Sequence, residues 1–208
     1  MSSHSQRSGL SRWRRGLTAS SLLLAAVLSA TAVSVTGASA ADSPNTAASS
    51  RHVLDFTEQV QSKDNWCWAA TGASIAAYQG HSVSQNSFCN AAFGRSQNST
   101  CPNDQATLGN DQAAYRWLGM APGTYINGTI SYSKLQSEID YNRPVQTRIA
   151  WSSGGGHMEV LYGYDTSTNF VYWGDPWPDD YRYNWSSYSY YRDNGDFTWT
   201  HTLYGIGA

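Results

Sequence analysis

Charge is scarce in this chain, and basic charge is scarcer still. Asp, Glu, Lys and Arg make up 13% of the 208 residues, and lysine occurs only at Lys63 and Lys134. Beyond Arg12, Arg14 and Arg15 no basic run exists, so nucleic acid and anionic membrane surfaces are poor partners. Long apolar runs are equally rare. The one candidate, Leu17 to Val35, is too rich in Ala and Ser for a stable membrane span. With the arginines before it and Ala38-Ser39-Ala40 after it, that run reads as a secretory signal cut before Ala41. Arg14-Arg15 is a weak match to a twin-arginine signal, so general secretion is the better reading. Three cysteines are too few for a disulfide scaffold, and no paired zinc-knuckle spacing occurs. There is no internal repeat.

These absences divide the chain into a signal (residues 1–40), a Ser/Ala/Asn/Pro-containing flexible tether or short pro-segment (41–52), and one domain (53–208) large enough for a substantial core. Removing the signal takes four arginines and no acid. Nine Lys and Arg then stand against 15 Asp and Glu, a net charge of −6. In an oxidising compartment Cys89 and Cys101, flanking a polar loop around Asn98-Ser99-Thr100, are the natural disulfide pair. Cys67 is left free, and a free thiol kept there calls for a reason. Catalysis supplies one.

The first half of the domain, Asn65 to about Leu118, is Ala/Gln/Asn-rich with helical spacing. Helices are expected from Cys67 through the small-residue run to Ala77, from Ser84 to Phe93 (capped by Ser82 or Ser84), and from Asn110 to Leu118. Ser133 to Asp140 reads as a further short helix. Strands follow at Pro144–Trp151, His157–Tyr164, Phe170–Trp173 and Phe197–Ile206, from their alternation and β-branched or aromatic content. Gly163 to Asn169 joins the second and third as a hairpin. Helices first and antiparallel sheet second make an α+β fold. The abundant Trp and Tyr are read mainly as strand-face filling, with Tyr188 to Tyr191 as an exposed exception at a cleft or sheet edge.

Cys67 opens its helix, with Asp64 or Asn65 as N-cap. A helix N-terminus favours the thiolate through its unpaired N–H groups and dipole. His157 follows Ser152-Ser153-Gly154-Gly155-Gly156 and opens a strand, the best-placed histidine to serve as base. His81 falls in a loop, His201 on the last strand and His52 in the tether. Asp175, just past the next strand, can return to the start of the His157 strand and orient the imidazole. Asp-Pro also initiates turns, and Asp165 is a rival at the wrong end of the strand. Gln61, six residues before the thiol, can donate to a developing oxyanion alongside the Cys67 N–H. Gln59 has the chemistry but not the register. His157 and Glu159 share a strand face, yet no further metal-ligand motif supports them, so no metal or cofactor is expected.

Gln61, Trp66-Cys67-Trp68-Ala69-Ala70, Gly155-Gly156-His157, Gly163-Tyr164-Asp165 and Asp175-Pro176-Trp177, in that order, resemble a papain-like cysteine protease. The likeness is to the compact bacterial group typified by AvrRpt2, with the bacteriocin-processing peptidases as further relatives. The resemblance implies Cys67 as nucleophile, His157 as base and acid, Asp175 as orienter and Gln61 as oxyanion donor. Trp68 is a supporting residue, and Trp177 shields the His–Asp contact. It implies a protein or peptide substrate; from charge, no nucleic acid and, after signal removal, no membrane partner is expected, and the protein is expected to be a monomer. Two positions depart from larger papains: Asp64 stands where a second cysteine is usual, and Asp175 replaces the usual Asn. Two alternatives are a cell-wall amidase or peptidoglycan endopeptidase on the same fold, and an inert binding module with Cys67 in its core.

Overall fold

A computed structural model describes residues 50–207; the signal and most of the tether lie outside the described residues. Seven strands and five helices are present: β1 (Arg51–Val53), α1 (Cys67–Tyr78), α2 (Gln85–Ala92), α3 (Leu108–Trp117), β2 (Pro122–Asn127), α4 (Tyr132–Asp140), β3 (Val145–Trp151), β4 (Gly156–Asp165), β5 (Phe170–Gly174), β6 (Tyr183–Ser187), α5 (Tyr188–Arg192) and β7 (Phe197–Ile206). The strands form one sheet in the order β2-β7-β3-β4-β5-β6, with β1 added to β4, and every pair is antiparallel. The expected α+β order holds. Arg51 and His52, read above as tether, pair with Asp165 and Tyr164 in β1, so the sheet reaches two residues further upstream.

Helix α1 is buried from Trp68 to Ala76 because its neighbours enclose it: β4 on one side and α2 and α3 on others. Small residues make that possible. A Cβ on Gly72 would lie 2.3 Å from the Phe88 ring of α2, so only glycine admits this approach. Polar caps set the ends of the other helices. Ser84 accepts from the Ser87 N–H and Ser131 from the Lys134 N–H, and Thr107 with Asn110 forms a capping box. On the other face of the sheet Trp173, Tyr191, Phe197 and Trp199 pack together, with Tyr191 fully buried and ring centroids 5.0 to 5.8 Å from it. Tyr188 to Tyr191 therefore forms part of α5, and Tyr190 alone of its rings is well exposed.

Candidate active site

Cys67 is the first residue of α1. Its N-cap is Trp66, not Asp64 or Asn65, and no side chain caps the helix. Asn65 is diverted instead: its backbone N–H donates to Asn103 Oδ1 at 3.0 Å and its Nδ2 donates to the Asn103 carbonyl at 2.9 Å. The first-turn N–H groups keep their partial positive charge directed at the thiol. Cys67 is half-buried and free, while Cys89 and Cys101 are joined in a disulfide.

The segment around the thiol is gripped by the loop that follows this disulfide. Trp66 Nε1 donates to the Pro102 carbonyl at 3.0 Å and Trp68 Nε1 to the Asp104 carbonyl at 3.1 Å. Lys63 Nζ donates to the Cys101 carbonyl while its ammonium sits 4.0 Å from the Trp66 ring centre. Trp68, almost fully buried, also packs edge-on against Phe93. From sequence the disulfide only flanks a polar loop; these contacts tie it to the Cys67 segment.

Strand register explains how the other residues meet. Val160 of β4 pairs with Gly174 of β5. Continuing that antiparallel count sets Asp175 opposite Glu159 and Trp177 opposite His157. Opposed residues point to one face, and so do residues two apart on a strand. His157, Glu159 and Asp175 are all buried, and one ligand-type atom from each lies within 4.8 Å of the others. His157 Nε2 is 2.7 Å from Asp175 Oδ1. The same oxygen accepts the Trp177 N–H at 2.8 Å, and Arg182 Nη1 donates to the Asp175 carbonyl. The imidazole lies between two indoles, stacked on Trp151 at 6.1 Å and edge-on to Trp177 at 6.2 Å.

Burial alone would discharge His157, yet its pKa is raised well above the usual imidazole value. The hydrogen bond to Asp175 and the nearness of Cys67, with the charges of both, outweigh the loss of solvent. Because Nε2 is committed to Asp175, Nδ1 is the atom left to face the thiol. Asp165 is at the far end of β4, where it accepts from Ser167. His52 contacts Asp140 at 3.0 Å, and His201 sits on β7 beside Thr200; neither joins this cluster. Gln61 approaches from the other side, its backbone N–H on the Pro176 carbonyl at 2.9 Å. Its Nε2, however, donates to the Lys63 and Asp64 carbonyls at 3.0 and 2.9 Å, while its buried Oε1 has no partner.

Sequence reasoning passed over a set of buried acids. Glu58 is pushed up to about 8, mainly by burial, with the Asp175 charge adding to it. Its Oε1 lies 3.1 Å from Ser74 Oγ, which also accepts the Gln59 N–H at 2.9 Å and lies 2.7 Å from the Ala70 carbonyl. One serine proton serves both acceptors only as a shared, weaker bond; the shorter contact favours Ala70, and a Glu58 that holds its proton to about 8 can donate the second bond in its place. Gly174 gives Glu58 its room, since a Cβ there would lie 2.9 Å from the Glu58 Cβ. Asp111 of α3 is fully buried behind α1 and shifted well upward by burial, then by Cys67. Gln146 Nε2 bridges its Oδ2 and Thr71 Oγ1, each at 2.9 Å. A metal could draw on His157, Glu159 and Asp175, but His157 and Asp175 already bond each other and Glu159 bonds Tyr191.

This geometry is that of a thiol hydrolase of papain-like fold. Residues 49–194 match the profile of the papain-like cysteine protease AvrRpt2 family, and the chain belongs to that family. It is a cysteine peptidase. Among solved structures, the peptidase domain of Streptococcus ComA, a bi-functional ABC transporter involved in a quorum-sensing pathway, is similar in fold. That match has a TM-score of 0.53 at 20% identity and covers 72% of this chain and 97% of that one. Xylellain, a cysteine protease from Xylella fastidiosa, aligns with a TM-score of 0.46 at 11% identity over 74% and 85% of the two chains. No curated protein matches by sequence.

Proposed function

We propose that the protein is an exported peptidase that hydrolyses peptide bonds by acyl transfer through Cys67, His157 and Asp175. The observation that carries this is the 2.7 Å His157–Asp175 contact, which leaves the other ring nitrogen to a cysteine at an uncapped helix N-terminus. Cys67 attacks the substrate carbonyl as thiolate, opposite an imidazolium that Asp175 keeps charged and oriented. The tetrahedral oxyanion is received by the Cys67 N–H and by Gln61, which releases one of its two backbone carbonyls to donate. His157 then protonates the leaving amine, the acyl group stays on sulfur, and water activated by His157 hydrolyses the thioester. Export accords with the disulfide and with the N-terminal signal read from sequence; among the described residues no helix is long and apolar enough to cross a membrane. The exposed rings of Tyr181, Tyr183 and Trp185 favour, as a second reading, an amide in a glycan-linked cell-wall peptide.

Site-resolved iodoacetamide labelling of the native mature protein from pH 4 to 9 tests the pairing. Cys67 should label rapidly well below pH 7, and His157→Ala should abolish that low-pH reactivity. A Cys67 that labels only after denaturation would refute the assignment. Digestion of a peptide library alongside purified cell wall, with Cys67→Ala as the inactive reference, separates the two substrate classes.

A further inference from the structure

The triad occupies His157 and Asp175 but leaves Glu159 beside them, 2% exposed and lacking a catalytic duty. Its carboxyl belongs to a chain of short contacts. Glu159 Oε2 is 2.8 Å from the Tyr191 hydroxyl, which is 2.6 Å from Thr147 Oγ1, which in turn donates to the Glu159 backbone carbonyl at 3.2 Å. Counting protons ties the direction of the chain to the charge on Glu159, with Tyr191 donating to it when Glu159 is ionised. If Thr147 donates to the carbonyl, Tyr191 must donate to Thr147. The contact between Glu159 and Tyr191 is then made by a proton on the carboxyl itself. All three bonds form together only with Glu159 neutral. With Glu159 ionised, Tyr191 turns its proton to the carboxylate and Thr147 must turn to Tyr191, abandoning the carbonyl.

We propose that Glu159 is a positioning residue of the triad, whose protonation state sets how tightly Asp175 holds the His157 imidazolium. This rests on the catalytic reading of His157 and Asp175. The groups that face Glu159 are His157 on its own strand, Thr147 on β3, Asp175 and Asp180 after β5, and Tyr191 on α5. Burial and the Asp175 charge favour the neutral form, and Glu159 keeps its proton to about 8. Neutral, it walls the Asp175 pocket without competing for the imidazolium. Ionised, it sets a second negative charge within 4.8 Å of the ring, and the imidazolium gives up its proton less readily. A general acid that must deliver a proton to the leaving amine works best in the first state.

The experiment is an NMR titration of ring-labelled histidine in the full mature chain, His157 being assigned by its loss in His157→Ala. Glu159→Gln is neutral at every pH, so its His157 curve should match wild type below about pH 8, where Glu159 is protonated, and above it should shift to lower pH by up to about one unit, the range expected when a charge within ~4–6 Å is removed. The small step in the wild-type His157 signal as Glu159 ionises should vanish. Glu159→Leu, which leaves Tyr191 free to bond Thr147, carries the same expectation should the Gln variant fold poorly. Titration curves that superpose on wild type at every pH while only the melting temperature falls would make Glu159 merely structural and overturn the proposal. Cys67→Ala run in parallel keeps the two questions apart. A His157 midpoint lowered by Glu159→Gln yet unmoved by Cys67→Ala would sink the catalytic pairing and leave the coupling of Glu159 to the imidazole standing.

Discussion

Replacing Glu58 by Gln should remove much of the pH dependence of folding stability. In the native protein Glu58 holds its proton to about 8; in the unfolded chain an ordinary glutamate loses it near 4.3. Between those values the native state binds one more proton than the unfolded state, so stability falls as pH rises. One such group gives a slope of about −1.4 kcal/mol per pH unit, or roughly 3 kcal/mol between pH 5 and 7. This is a ceiling, because the charges of Asp175, Arg182 and His157 also act on Glu58. His157 acts in the same sense. Its raised pKa stabilises the native state most below about 6.5, and that contribution disappears as pH climbs through the native value. Gln at position 58 can still donate to Ser74, so the local bond survives while the titration does not. Urea denaturation at pH 5, 6 and 7 in a Cys67→Ala background measures the slope. Wild-type stability should decline over this range, and Glu58→Gln should decline less steeply by up to one proton's worth. Parallel slopes would show that Glu58 is ionised in the native protein, and the proton count at Ser74 would be wrong.

Gln61→Ala should lower kcat by about 10²–10³ if the side chain donates to the oxyanion. A loss of stability with kcat within a few-fold of wild type would reduce its role to bracing the Lys63 and Asp64 carbonyls. Gly72→Ala forces a methyl into the buried Phe88 ring and should cost about 1–3 kcal/mol, a drop of roughly 3–10 °C in melting temperature. Phe88→Leu in the same chain should recover part of it, and calorimetry of the two variants decides the matter.

Much of this arrangement is legible in the residues, though unevenly. Strands β3, β4, β5 and β7 alternate clearly, and each is buried on at least one face. Strand β2 escapes notice because Pro122-Gly123 reads as a breaker and its residues stay largely uncovered at the sheet edge. β6 is the opposite edge, with two exposed aromatics in a mixed polar sequence. β1 exists only through its pairing with β4, a long-range fact no local pattern records. The preference for Asp175 over Asp165 follows from strand ends alone, and the two residues do lie at opposite ends of β4. The cap of α1 could not be read, because Asn65 answers to Asn103, 38 residues away. Glu159 was visible as a neighbour of His157 on one face. That Asp175 lies opposite it depends on a register that shifts between Leu161 and Gly163, which the sequence does not announce.

The hold of residues 101–104 on Lys63, Asn65, Trp66 and Trp68 has a consequence for when the enzyme becomes competent. The loop is fastened at Cys101 to Cys89. A chain in which the two cysteines are reduced lacks that fastening, and the tryptophans on either side of Cys67 then grip a loop with a loose end. Oxidation closes the pair that is fully buried and leaves the half-buried Cys67 free. On the proposed reading of an exported enzyme, the surroundings of Cys67 would be completed only once the chain has left a reducing compartment and the disulfide has formed.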